Sequence, residues 1–349
     1  MLTPCGTFHF TRVIMLMLNI LWAMFISVSS YSMKDVFTDG LDGYACYRIP
    51  ALLDLGNSSY LLFAEGRYYG CSDHGFVDLV VKESHDAGMT WGPLRVVYSE
   101  SKKGKKNVTI GNPAPVFLSS GTILLPFCRE NLGAGVLRSR DHGATWEYYV
   151  NLTVLSDWTW IATGPPGSLQ LPSERILIPA NHVSSGKAFA HAYISDDLGE
   201  TWSLSSFIPD GNEDQAVSLP WLGKDAVLMS MRTPAAVRNN ALSLDGGKTW
   251  GPPWSVIKEG PCEASTIALP HHPAGPTLVM SSPLDLSSRD NLTISVSRDE
   301  GKHWSSSILV YHGKAAYSSL IPTGLQSVAL AFERDGYKSI SFINSISIE

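Results

Sequence analysis

Five copies of one eight-residue pattern, S-x-D-x-G-x-T-W, constrain this chain more than any other feature. They begin at Ser84, Ser139, Ser195, Ser243 and Ser297, and the last carries His303 in place of Thr. The starts lie 55, 56, 48 and 54 residues apart. A fixed period of about 50 residues marks stacked units that cannot bury their cores alone. Each copy follows a β-rich run, such as Leu79-Val80-Val81 or Ala192-Tyr193-Ile194. Asp and Gly then supply a turn, and Trp opens the next strand. Long helical periodicity is absent, whereas strand-like runs recur at 59–64, 122–127, 175–179, 226–231, 277–280, 327–332 and 339–348. Four-stranded units of this size predict an all-β fold, a six-bladed β-propeller. The segment after Trp304 holds roughly three strands and no box. The last blade is therefore expected to borrow a strand from Met33–Thr38, closing the ring. The five box Asp residues read as turn-builders, not as catalytic groups.

The N-terminus stands apart. Arg12 precedes an apolar run from Val13 to Val28, which ends in Ser29-Ser30-Tyr31-Ser32. A basic start, a short apolar stretch and small residues predict a signal peptide over 1–32. Residues 33–349 then form one propeller domain, since no Pro/Gly/Ser linker divides them. The sequons at Asn57, Asn107, Asn151 and Asn291 suit the same secretory route. Four cysteines remain after the leader: Cys46, Cys71, Cys128 and Cys262. An oxidising compartment allows up to two disulfides, and the spacing leaves their pairing open. A net charge of −6 gives no electrostatic footprint for nucleic acid. Lys102-Lys103-Gly104-Lys105-Lys106 reads as a solvated loop. His271-His272 lies between prolines without ligand spacing, so no metal is expected, and no phosphate-binding or nucleophile-elbow motif implies a cofactor.

Tyr47-Arg48-Ile49-Pro50 ahead of five such boxes resembles the sialidase (neuraminidase) family, whose signature is F/Y-R-I-P and whose repeats are called Asp boxes. The resemblance runs from about Cys46 to the C-terminus. It looks closest to the animal lysosomal, sialidase-1-like branch through Phe63-Ala64-Glu65-Gly66-Arg67, Ala316-Tyr317-Ser318-Ser319-Leu320 and Ser339-Ile340-Ser341. The family fold is a six-bladed propeller.

Sialic acid carries a carboxylate on its anomeric carbon, and a planar anion calls for Arg rather than Lys. The resemblance implies an arginine triad of Arg48, Arg232 and Arg289. A carboxylate nucleophile would be repelled by that anion, and a neutral Tyr activated by a Glu avoids the repulsion. Tyr317 matches the family's nucleophile motif, and Glu213, in Gly211-Asn212-Glu213-Asp214, resembles its activating Glu. Asp73, six residues after Arg67, sits at the spacing of the proton donor, with Asp78 as the competitor. Glu333 resembles the carboxylate that holds the first Arg, and Arg67 the Arg near the sugar's 4-hydroxyl. Asn112-Pro113 stands where many relatives have Asp-Pro, so its contact to that hydroxyl would lack the usual charge.

The resemblance therefore implies an exo-α-sialidase, a glycoside hydrolase that retains configuration at terminal sialic acids of glycoproteins, oligosaccharides and glycolipids. A non-catalytic Asp-box propeller that binds glycans or proteins is the alternative in another class. Within the enzymes, the alternatives are a trans-sialidase and a hydrolase of deaminated sialic acid. The lysosomal branch also implies an acid compartment and a protective carboxypeptidase partner, with secretion or the cell surface as the other destination. Oligomeric state, linkage preference and pH optimum stay open.

Overall fold

Each strand-like run from 59–64 to 339–348 forms a strand in the computed structural model, which describes residues 31–101, 107–153, 157–260 and 262–349. The expected leader, apart from Tyr31 and Ser32, and the basic stretch at 102–106 lie outside these residues. The first sheet holds Cys46–Asp54, Tyr60–Arg67, Val77–Ser84 and Arg95–Tyr98 in sequence order. Two further sheets, of five and six strands, span 110–151 and 158–209, and a four-stranded sheet follows from Asn212–Ser218 to Trp254–Lys258. The last sheet has seven strands, from Ser265–Leu269 to Ser339–Ser347, with Lys34–Thr38 added on its far edge. That edge pairing is antiparallel, Lys34 opposite Phe342 and Thr38 opposite Ser339, so the N-terminal segment is tied to the C-terminal strand.

The expectation of six blades is corrected by this pairing. Among the described residues, hydrogen bonds form four blade-like sheets and one wide seven-stranded sheet in a propeller-like arrangement. The cause is the 17-residue strand Ser306–Pro322. Through Ser306–Lys314 it pairs with Asp290–Ser297, and through Ala315–Pro322 with Ser327–Arg334. No turn interrupts it, so two expected units share one continuous strand.

The boxes explain how the sheets join. In the second copy Ser139 Oγ donates to Asp141 Oδ1 at 2.8 Å and accepts from Gly143 N at 2.8 Å. The same Asp accepts from Thr145 N at 2.9 Å and from Thr145 Oγ1 at 2.6 Å. The fifth copy keeps this geometry, because His303 N and Nδ1 take the places of the Thr groups at 2.8 and 2.6 Å from Asp299. Gly88 shows why the pattern needs glycine: its φ is +80°, and a Cβ would lie 2.0 Å from Phe342 of the neighbouring sheet. Each box Trp packs against an apolar cluster at a seam between sheets. Trp91 sits with Tyr60 and Phe342, Trp146 with Phe63, and Trp202, Trp250 and Trp304 against three further clusters. These tryptophans are half-buried, so each adds to its seam a fraction of the about 1.5–3 kcal/mol of a fully buried apolar side chain.

Candidate active site

Three strands break register at residues that line one cavity. The breaks fall between Arg48 and Ala51, between Asn212 and Asp214, and between Ala315 and Ser318. A β-bulge re-aims a side chain that regular alternation would point elsewhere. The bulges present Arg48, Glu213 and Tyr317 to the same space. Ile49 and Glu213 have φ of +60° and +43°. Such a value is an outlier for β-branched Ile, and surrounding contacts must hold it. Ile49 N donates to Glu333 Oε1 at 2.7 Å.

Glu333 is fully buried and organises this corner. Its Oε1 also accepts from Arg48 Nε at 2.6 Å, and its Oε2 from Tyr317 N at 3.2 Å. Arg232 Nη1 donates to Glu213 Oε2 at 2.5 Å, and the Tyr317 hydroxyl donates to Glu213 Oε1. The guanidinium carbons of Arg48 and Arg289 lie 5.1 and 5.4 Å from the Tyr317 ring centre. Tyr317 thus stands among three arginines, with a carboxylate at its hydroxyl. Burial, reinforced by Glu213, holds its phenol proton far more tightly than usual. At rest Tyr317 is neutral, and Glu213 is the group placed to take its proton.

Elsewhere in the lining Arg67 donates to Glu65 Oε2 through Nε and Nη2, at 3.0 and 2.5 Å. Its Nη1 reaches Asp73 Oδ1 at 2.8 Å, and Arg48 Nη1 lies 3.5 Å from the same oxygen. Partial burial pushes the Asp73 carboxyl up, yet the two guanidiniums outweigh it and hold Asp73 below the usual carboxylate range. The Asp73 side chain is 70% exposed, so a departing group can reach it. Asp78 is buried outside the cavity, where Tyr44 and Tyr68 hydroxyls donate to it at 2.9 and 3.0 Å. Asn112 lines the cavity with φ +53°, and its N–H donates to Glu65 Oε1 at 2.8 Å. Arg289 lines it as well, whereas Arg232 and Glu333 act on it through Glu213 and Arg48.

A disulfide joins Cys46, at the start of the Arg48 strand, to Cys71 in the Asp73 loop. Cys128 and Cys262 are free and buried. Among the described residues one group has metal-ligand proximity, Asp39 with Cys46 and Cys71. The disulfide consumes both thiols, so that group does not fit a metal. Both ring nitrogens of His272 are engaged, with Ile348 O and with Ala274 N, each at 3.0 Å. Of the sequons, Asn57, Asn107 and Asn151 are exposed and Asn291 is half-buried.

Sequence reasoning missed several lining residues. Glu65 was legible, because it lies two positions before Arg67 and strand alternation puts both on one face. Asn131, Trp160, Asn181 and Asn212 also line the cavity. No spacing in the sequence points to them.

The BNR repeat-like domain family matches residues 62–327. A sialidase of Micromonospora viridifaciens is 29% identical over 84% of this chain and 51% of its own length. Sialidase-2 of Mus musculus is 27% identical over 86% of this chain and 92% of its own. Among solved structures, the Hadza microbial sialidase Hz136 superposes with a TM-score of 0.80 at 23% identity, covering 88% of this chain and 66% of that one. The chain thus spans about half of one curated relative and nearly all of another.

Proposed function

The chain belongs to the sialidase family, carrying its BNR repeat-like domain across most of its length, and we propose that it hydrolyses terminal α-linked sialic acids with retention through Tyr317. One observation carries the mechanism: the neutral Tyr317 hydroxyl donates to Glu213 among Arg48, Arg232 and Arg289. The arginines take the substrate carboxylate. Glu213 accepts the phenol proton as Tyr317 oxygen attacks the anomeric carbon, and Asp73 gives its proton to the departing glycosidic oxygen. Water then attacks the tyrosyl glycoside, Asp73 takes its proton, and Glu213 returns the other to Tyr317.

Asp73 is held low by Arg67 and Arg48 in the free site. Its protonated fraction grows as pH falls, which supports an acid working range. With the signal-like N-terminus and the exposed sequons, this favours a secretory route ending in the lysosome, where the motif resemblance also suggests a protective carboxypeptidase partner. Release of a fluorophore from an α-sialoside, followed from pH 4 to 7, tests the activity. Turnover that rises toward acid pH supports the proposal, and a protein that binds sialosides without turnover contradicts it. Tagged protein outside lysosomes, lacking glycans, would remove the compartment reading alone.

A further inference from the structure

Asp335, Gly336 and Tyr337 link the strands Ser327–Arg334 and Ser339–Ser347 with three successive left-handed residues, at φ +56°, +68° and +75°. A bulky aromatic at +75° is an outlier, and an outlier of this kind persists only where its surroundings demand it. Two contacts do so. The Tyr337 ring centre lies 4.0 Å from the Arg48 guanidinium carbon, nearer than the Tyr317 ring at 5.1 Å. The Tyr337 hydroxyl accepts from Arg289 Nη1 at 3.2 Å. One side chain therefore touches two arginines that also lie against the Tyr317 ring.

The other restraints on Arg48 act along its nitrogens. Glu333 takes Nε, and Asp73 lies beside Nη1. An aromatic ring against the guanidinium restrains it further by cation–π attraction. Tyr337 itself does not line the substrate cavity. It packs against Ile49, Cys262, Ala316 and Tyr317, and it walls a neighbouring cavity with Arg289 and Lys314. We propose that Tyr337 is a positioning residue that sets the distance and orientation between Arg48 and Arg289, and so the enzyme's preference for a carboxylate at the anomeric carbon. This inference rests on the reading of Arg48 and Arg289 as the carboxylate clamp.

The test compares two ligands that differ at one group: a 2,3-unsaturated sialic acid analogue and its carboxamide. Tyr337→Phe keeps the ring and removes the hydroxyl. It should weaken the acid about 3- to 10-fold, the worth of one hydrogen bond, and leave the carboxamide unchanged. Tyr337→Asn keeps a residue that tolerates left-handed φ and removes the ring as well. It should lower the acid-to-amide preference about 10-fold or more, with KM affected before kcat. If Tyr337→Asn does not fold, Tyr337→Phe decides. Variants with unchanged melting temperature and unchanged preference would overturn the inference. Arg48→Lys separates the two readings: if it loses the preference while the Tyr337 variants keep it, the clamp stands and the positioning role falls. If Arg48→Lys keeps the preference, the clamp reading itself falls and takes the inference with it.

Discussion

The Asp boxes and the active site are built on opposite terms. Within a box, the Ser–Asp–Gly–Thr hydrogen bonds span two or four residues, and the copies repeat them with nearly equal distances. In the site, Arg48 meets Glu333 across 285 positions and Tyr317 meets Glu213 across 104. The box is local chemistry repeated, and the site is distant chemistry assembled once by bulges. A change in one box should therefore be absorbed by the others, whereas a change in the site has no second copy to fall back on.

Tyr317→Phe should show this contrast most sharply. It removes the attacking oxygen and keeps the packing, so kcat should fall on the order of 10³-fold or more while a sialic acid analogue still binds. Near-normal kcat would mean that the nucleophile lies elsewhere. Arg48→Lys keeps the charge but loses the planar fork held by Glu333. A cost of at least about 1 kcal/mol in kcat/KM, roughly fivefold, is expected, and a smaller one removes Arg48 from the clamp.

The contrast also explains what was legible. A repeat of local contacts leaves a spacing in the sequence, so the five boxes, their turns and their tryptophans could be read directly. Blade number could not be read as reliably. Counting boxes assumes that every unit ends in a turn, and Ser306–Pro322 runs through the boundary with only Gly313 to mark it. The site residues came from motif resemblance, since nothing in the spacing of Tyr317 from Glu213 announces a hydrogen bond. Tyr337 carried no motif, and its place became visible only through its backbone and its two arginine neighbours.

A milder perturbation bears on the acid. Arg67→Gln removes the guanidinium that most strongly counters the burial of Asp73. The Asp73 pKa should then rise, so its protonated form persists to higher pH. The alkaline limb of kcat/KM should move upward even though the rate itself drops. A limb that stays in place means another group is the proton donor. The smallest effect should come from Asp141→Ala, which deletes the four-residue contacts of one box. Calorimetry should show a melting temperature lowered by a few degrees at most, with kcat unchanged. Loss of activity there would break the division between scaffold and site.

Covalent trapping reaches the central claim without a substitution. A 2,3-difluorinated sialic acid slows the departure of the sugar from its nucleophile, and the bonded residue can be found by peptide mass spectrometry. One sialosyl adduct, on Tyr317, should form in parallel with loss of turnover. An adduct on a carboxylate such as Glu213 or Asp73, or complete inactivation with Tyr317 unmodified, would contradict it.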